Sequence, residues 1–400
     1  MQGETTLIQQ AVEDELRRDA YPENFPAIPE LPTARYADPA FYDIEMKHFW
    51  PKTWLTAAHI SELPEVGSYV LFEELGRSII ISRGEDDVVR AFHNVCRHRA
   101  SAILLEKQGK AKRFICPYHS WGYSAEGQLV SVPEQRDFAC LDKSKRGLVP
   151  VRCETWRGFV FINLDGEAAP LEEFLAPVAR QWANYPLENM VIKGVMRSDM
   201  ECNWKVAYDN FLEIYHLSSV HGKSLAPFLE WRSFSLSMYK GGHGRFATRK
   251  KQGATIFKLD QAPPPSTNEL FKEHTLALPT FPNVFVAADP VGFNWQTFWP
   301  NGTGKSVMTS RLMGWKDDSD EDRALWDQMK VNIAGILAED LILFKDIQRN
   351  YETGSLPGAM LSYQERMLYW YQEEVDRVIG VENIPEHLRM KQVLADYVAE

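Results

Sequence analysis

The sequence predicts an α+β protein, on three observations. Over residues 54–164, short runs rich in β-branched and aromatic side chains are separated by glycines and acidic turns, the pattern of antiparallel strands. Beyond residue 165, helical and strand-like stretches are mixed, without the regular strand–helix alternation of a parallel sheet. The length of 400 residues, with 44% hydrophobic and 12% aromatic residues, suits two domains, or one large domain carrying an insertion.

Residues 5–20 read as a polar helix, followed by a linker punctuated by Pro22, Pro26, Pro29 and Pro32. A helix over 43–50 leads into the β-rich region, where strands are expected over 69–72, 77–82, 88–94 and 159–164. A helix over 169–185 stops before Pro186, a strand covers 190–200, and a helix runs over 203–216. Residues 222–280 contain Gly241, Gly242 and Gly244, the basic run Arg249-Lys250-Lys251 and the triplet Pro263-Pro264-Pro265, and read as a mobile region. Strands return over 283–287, 293–299 and 306–315, and helices close the chain over 321–351 and 362–379. Neither an internal repeat nor a low-complexity segment is present.

The formal charge of −11 argues against nucleic acid as a main partner, because phosphate binding needs a basic face. It leaves an acidic surface on which a basic partner protein can dock. The polar N-terminal stretch has no apolar signal core, and no apolar run is long enough to span a bilayer, so a cytoplasmic protein without membrane association is expected. Of the five cysteines, Cys140, Cys153 and Cys202 show no disulfide-framework spacing and are expected to pack as small buried side chains.

Chemistry concentrates between Cys96 and His119. Cys96-Arg97-His98 is followed, after seventeen residues, by Cys116-Pro117-Tyr118-His119, so each short loop offers one thiolate and one imidazole. A structural zinc knuckle normally pairs two cysteines. A Rieske [2Fe–2S] centre instead needs two thiolates on one iron and two imidazoles on the other, so each loop can supply one ligand to each iron. The alternative for these four residues is a Cys2His2 zinc site. Tyr118 and Trp121 are expected to shield the group.

At these residues the chain resembles the catalytic α subunits of the Rieske non-haem iron oxygenases, the ring-hydroxylating oxygenases. The C-x-H and C-x2-H loops carry the resemblance, together with the flanking Asn94-Val95, Arg99 and Trp121-Gly122. It implies a β-sheet Rieske domain inserted into a helix-and-antiparallel-sheet catalytic domain. Residues 1–50 then form a helical segment packing on the catalytic domain, 51–164 the Rieske domain, and 165–400 the catalytic domain with a mononuclear non-haem iron.

A second constellation fits that iron. Glu213 and His216 are three residues apart and share a helix face. His216 and His221 are five apart, so both reach one ion only if the helix ends or distorts between them, with Ser218-Ser219 the expected place. Two histidines are part of a two-histidine, one-carboxylate triad that leaves positions open for O2 chemistry at Fe(II). Asp340 is the expected carboxylate. Leu337, Phe344 and Ile347, at −3, +4 and +7, set it along an apolar stripe, and a buried carboxylate needs a partner such as a metal. Glu339 and Asp346 are the weaker choices. The family pattern, an acidic pair with Gln eight residues after the Asp, is matched by Glu339-Asp340 and Gln348.

The resemblance further implies that Glu213 bridges His216 to His119 of the partner subunit and carries electrons across a homotrimer interface. Most members carry Asp there, and Glu resembles the subset of α-only trimers acting on quaternary amines. Asn210 is expected to support the iron ligands without binding metal. One [2Fe–2S] cluster and one Fe(II) per subunit, O2 as co-substrate, and a reductase with flavin or ferredoxin drawing on NAD(P)H complete the implied system. The chain lacks a G-x-G-x-x-G fingerprint and is not expected to bind the nicotinamide itself. The favoured activity is that of a terminal oxygenase hydroxylating an aromatic or other hydrophobic compound, as in aromatic hydrocarbon catabolism. Oxidative demethylation or C–N cleavage of a carnitine- or betaine-like quaternary amine is the alternative. The cavity walls are expected from residues following His221, from 285–299 and from the Asp340 helix. Phe293, Trp295, Phe298 and Trp299 suit an aromatic ring or a quaternary ammonium, with about half of them facing the cavity because alternate residues of the strand fill the core.

Overall fold

The computed structural model describes residues 2–183, 185–252, 254, 270–289, 292–316 and 320–399; the triplet Pro263-Pro264-Pro265 lies outside them. The chain forms two compact units, Trp50–Glu173 and the combination of Met1–Phe49 with Phe174–Glu400. In sequence, the first unit interrupts the second.

The Trp50–Glu173 unit is built from ten strands: β1 (Leu55–His59), β2 (Ser68–Phe72), β3 (Ile79–Arg83), β4 (Val89–His93), β5 (Gln108–Lys110), β6 (Arg113–Ile115), β7 (Gly122–Ser124), β8 (Leu129–Ser131), β9 (Pro150–Trp156) and β10 (Phe159–Asn163). Seven form an antiparallel sheet in the order β1-β10-β9-β4-β3-β2-β5, and β6-β7-β8 form a second, smaller one. Ile79, Ile80 and Ile81 are all fully buried, which is why β3 reads as a continuous apolar run rather than an alternating one. Sequence periodicity missed β1, β9 and the three-residue strands. In β9, Pro150-Val151-Arg152-Cys153-Glu154 mixes charge with apolar residues, and β5 is exposed throughout.

In the other unit, α1 (Gln2–Arg17) and α2 (Pro39–Ile44) precede the interruption, and α2 continues as a π-helical turn over Glu45–Phe49. After it come α3 (Leu171–Ala179), β11 (Met190–Met200), α4 (Trp204–Phe211), α5 (Leu217–Val220), β12 (Ser235–Tyr239), β13 (His243–Arg249), β14 (His274–Ala277), β15 (Val284–Asp289), β16 (Gly292–Pro300), β17 (Ser306–Trp315), α6 (Asp320–Glu352) and α7 (Arg366–Ile379). The seven strands make one antiparallel sheet in the order β11-β17-β16-β15-β14-β13-β12. Gly292 and Gly314 face each other across β16 and β17 and open a slot for Trp326 of α6. A Cβ on Gly314 would lie 2.3 Å from the Trp326 ring, closer than van der Waals contact allows.

Several expectations need correction. The helix over 169–185 shortens to α3 and a 3-10 turn over Arg180–Trp182, with Pro177 near its end lacking the N–H that continuation requires. The expected mobile region contains β12, β13 and β14 instead. Gly241 and Gly242, at φ 73° and 75°, make the tight turn between β12 and β13. Of the three cysteines expected to be buried, Cys202 is buried, Cys153 is half-buried and Cys140 is exposed. No helix among the described residues is long and apolar enough to cross a membrane.

The N-terminal segment is fastened to its unit by buried charge. Lys205 Nζ donates to both oxygens of Glu45 at 2.8 Å, and the Arg35 guanidinium reaches Asp376 at 2.7 Å, all four side chains being fully buried.

Candidate metal centres

The two cysteine–histidine loops share one backbone design. In the first, the Cys96 carbonyl accepts from the Ala100 N–H at 3.0 Å; in the second, the Cys116 carbonyl accepts from the Ser120 N–H at 3.0 Å. Ala100 and Ser120 both lie at left-handed φ, 61° and 55°, which closes each loop. Cys96 and Cys116 are 3% and 1% exposed, while His98 and His119 are only half-buried. Thiolates thus sit inside and imidazoles outside. The Tyr123 hydroxyl accepts from the Arg97 N–H at 3.0 Å and lies 3.3 Å from Cys96 Sγ. Burial and that sulfur raise the Tyr123 pKa, keeping the phenol protonated as a donor.

The His98 and His119 rings are 4.5 Å apart, and Trp121 stacks on His98 at 5.0 Å with planes 7° apart. Trp121 therefore covers His98 as expected, and Tyr118, though 54% exposed, lies against the His119 ring with centroids 3.8 Å apart. Four ligands of one tetrahedral zinc would all lie close to one another. Among the described residues, no three of Cys96, His98, Cys116 and His119 bring ligand atoms within 4.8 Å of one another. The two thiols are buried and the two imidazoles half-buried, which suits a cluster with thiolates on one iron and imidazoles on the other.

The second constellation lies in the other unit. Asn203 caps α4 by accepting the Lys205 N–H at 3.0 Å, and α4 stops at Phe211, before Glu213. The break therefore falls earlier than Ser218-Ser219, which lie inside the one-turn helix α5. His216 and His221 flank that turn, with ring centroids 5.2 Å apart. Asp340 enters from α6, where it is 3% exposed beside buried Leu337 and Phe344. Gln348, two turns on, accepts the Asn203 N–H at 2.8 Å and so fixes α6 against the start of α4.

Each imidazole is held at Nδ1 by its own carboxylate. His216 Nδ1 bonds to Glu213, and His221 Nδ1 lies 2.6 Å from Glu339, which also accepts from Ser224 Oγ at 2.6 Å. With Nδ1 donating, Nε2 of each ring carries a lone pair. Both Nε2 atoms face Asp340 Oδ1, at 3.1 Å for His221 and 3.9 Å for His216. Oδ1 is buried and accepts no well-formed hydrogen bond. Acceptors facing one another need a cation between them, so the residues fit a metal. Burial lowers the His221 pKa, but the negative charge of Asp340 and Glu339 and the hydrogen bond to Glu339 outweigh it and leave the pKa raised. Asp346, weighed as a ligand, is exposed and paired with Arg349 instead.

A cavity of about 240 Å³ opens on this triad, and Asn210, Glu213, His216, His221 and Asp340 line it. Its walls are otherwise mostly apolar, with Phe211, Phe234, Phe246 and Phe285 as its aromatic rings. None of Phe293, Trp295, Phe298 and Trp299 lines it. Strand pleating sends alternate residues to opposite faces, so Asn294 and Gln296 face the cavity while Phe293 and Trp295 pack on Trp182. Phe298 is covered by Tyr208 and Phe211.

The description "Rieske [2Fe-2S] domain" matches residues 53–144, and "Ring hydroxylating alpha subunit (catalytic domain)" matches residues 187–381. The chain belongs to the Rieske oxygenase α-subunit family. As in that family, the fold combines a Rieske domain with a catalytic domain of helices and antiparallel sheet, and it carries the residues for a [2Fe–2S] cluster and a mononuclear iron. The carnitine monooxygenase oxygenase subunit of Escherichia coli (strain K12) is 38% identical over 50% of this chain and 55% of its own. The glycine betaine monooxygenase oxygenase subunit of Pseudomonas aeruginosa (strain UCBPP-PA14) is 32% identical over 50% of this chain and 47% of its own. These alignments span about half the length of the curated relatives. A solved quaternary ammonium Rieske monooxygenase, CntA, shares the fold with a TM-score of 0.78 at 22% identity, over 90% of this chain and 99% of that one.

Proposed function

We propose that this Rieske α subunit is the terminal oxygenase of a monooxygenase system that oxidises a carbon attached to a quaternary amine nitrogen. The observation that carries the reading is the pairing of two donor sets in one chain: Cys96, His98, Cys116 and His119 for a two-iron cluster, and His216, His221 and Asp340 for a single iron. When bound, the cluster supplies single electrons and the mononuclear iron supplies O2 activation.

The residues of the chain do the rest. Glu213 and Glu339 hold the two imidazoles in one tautomer and orientation. The four phenylalanines exclude water and offer ring faces to a cationic methylammonium group. In the overall reaction one oxygen atom enters a C–H bond beside nitrogen and the other leaves as water, using two electrons and two protons. The resulting hydroxyalkyl ammonium releases an aldehyde, a proton and a tertiary amine. The electrons come from NAD(P)H through a reductase, docked on the acidic chain as a separate protein.

The electron path supports a head-to-tail homotrimer, in which Glu213 bridges His216 to His119 of the partner subunit. Apolar side chains are exposed at both ends of that path. Ile115 and Tyr118 flank Cys116, while Tyr215, Ile342 and Leu343 flank the triad. Asn210 lines the cavity beside Glu213 and supports the site without joining the ligand set.

The sequence alone favoured aromatic hydroxylation, and the curated relatives favour the amine alternative. Ring hydroxylation remains the second reading because the cavity is so largely apolar. The test is turnover with a reductase, NAD(P)H and ¹⁸O2 over a panel of quaternary amines and aromatic hydrocarbons. Aldehyde and tertiary amine release from an ammonium compound is expected. Products from the aromatic compounds alone would overturn the amine reading.

A further inference from the structure

The sheet wall of the cavity has a chemistry of its own. It is formed by residues paired across the sheet: Thr248 with Thr275, then Phe246, Ala277, Ala287 and Asn294 in one row, and Phe285 with Gln296. Ala277 and Ala287 are small and leave room above the sheet. Asn294 is 7% exposed, yet its Oδ1 has no hydrogen-bond partner, and the buried Thr275 Oγ1 has none either. Such atoms are costly to bury unless a ligand satisfies them.

No lysine or arginine lines the cavity among the described residues, while Glu213 and Asp340 do. A carboxylate at its sheet wall would be buried with no lysine or arginine of the described residues beside it, against a wall of phenylalanine. The methyl groups to be oxidised have to lie at the His216–His221–Asp340 end. The remainder of the substrate therefore meets the sheet wall, where an amide and a hydroxyl wait. A hydroxyl or amide on the substrate suits them, since either can both donate and accept.

Resting on the amine-oxidation reading, we propose that this cavity takes a quaternary ammonium compound whose other end is an uncharged hydroxyl or amide, and that it rejects betaines ending in a carboxylate. Asn294 determines that preference.

The test is anaerobic calorimetry on the metal-loaded oxygenase with probes of one shape. (2-Hydroxyethyl)trimethylammonium should bind at least about ten-fold more tightly than glycine betaine. Asn294→Leu should weaken the alcohol about ten-fold and leave ethyltrimethylammonium, which lacks the hydroxyl, unchanged. Glycine betaine binding as tightly as the alcohol, or no measurable binding of the alcohol, overturns the proposal. Failure of the amine reading looks different. The all-carbon alcohol 3,3-dimethylbutan-1-ol would then bind as tightly as its ammonium counterpart while 3,3-dimethylbutanoate is still refused, and the preference for an uncharged end would stand.

Discussion

His221 presents Nδ1 to Glu339 Oε2 at 2.6 Å and thereby turns Nε2 toward Asp340. Adjacent acidic residues on α6 thus do different work, one orienting an imidazole and the other facing its free nitrogen. A carboxylate behind a metal-binding imidazole fixes the tautomer and raises basicity. Glu339→Gln should weaken iron binding at the mononuclear site by about 10–100-fold while leaving the visible spectrum of the cluster unchanged. Iron titration of the apo-site followed alongside that spectrum checks this. Unaltered affinity would mean that Glu339 contributes only its bond to Ser224.

Lys205 and Glu45 form a fully buried pair between α4 and the turn after α2. Burial raises the Glu45 pKa and lowers that of Lys205, and each charge is offset mainly by the other. Removing one partner strands the other, so Lys205→Met should destabilise the protein by about 3–5 kcal/mol. Replacing both, with Lys205→Met and Glu45→Leu, should recover much of that loss. Denaturant unfolding of the two variants distinguishes a stranded charge from lost packing, since lost packing would persist in the double variant.

Asp209 accepts a hydrogen bond from Tyr36 in the same buried layer, and burial pushes its pKa up to about 7. An acid with a raised folded pKa binds its proton more tightly in the native state. Its contribution to stability is therefore full below the unfolded value near pH 4 and is lost as pH rises to about 7. A shift of this size corresponds to about 4 kcal/mol. Asp209→Asn, which keeps an acceptor for Tyr36, should flatten the fall in melting temperature between pH 5 and pH 8. An unchanged slope would assign the pH dependence to other groups.

Legibility in the sequence followed the range of the interactions. The proposed cluster ligands lie within two short loops, so spacing and residue type were enough to propose them. Asp340 was found by burial pattern, because a carboxylate flanked by Leu337 and Phe344 stands out on any helix. The end of α4 was placed too late. Nothing in the residues of 212–216 is strongly non-helical, and the break depends on Glu213 folding back to accept the Tyr215 and His216 N–H groups. Of the four aromatics on β16, Phe293, Trp295 and Trp299 alternate away from the cavity, and Phe298 shares the face of Asn294 and Gln296 but is covered by Tyr208 and Phe211. Residue type shows that a strand is buried, but with both faces covered it does not show which face meets a cavity. Gly241 and Gly242 read alike for a mobile loop and for a tight hairpin, and only the pairing of β12 with β13 separates the two.

In the proposed function one chain holds a two-iron cluster and a separate single iron on His216, His221 and Asp340. The most direct test is iron and acid-labile sulfide analysis of the purified protein beside Asp340→Ala. The account predicts about three irons and two sulfides per subunit in the wild type, and about two irons and two sulfides in the variant, with its cluster absorption intact and its turnover gone. An Asp340→Ala protein that keeps its third iron and its activity would contradict it.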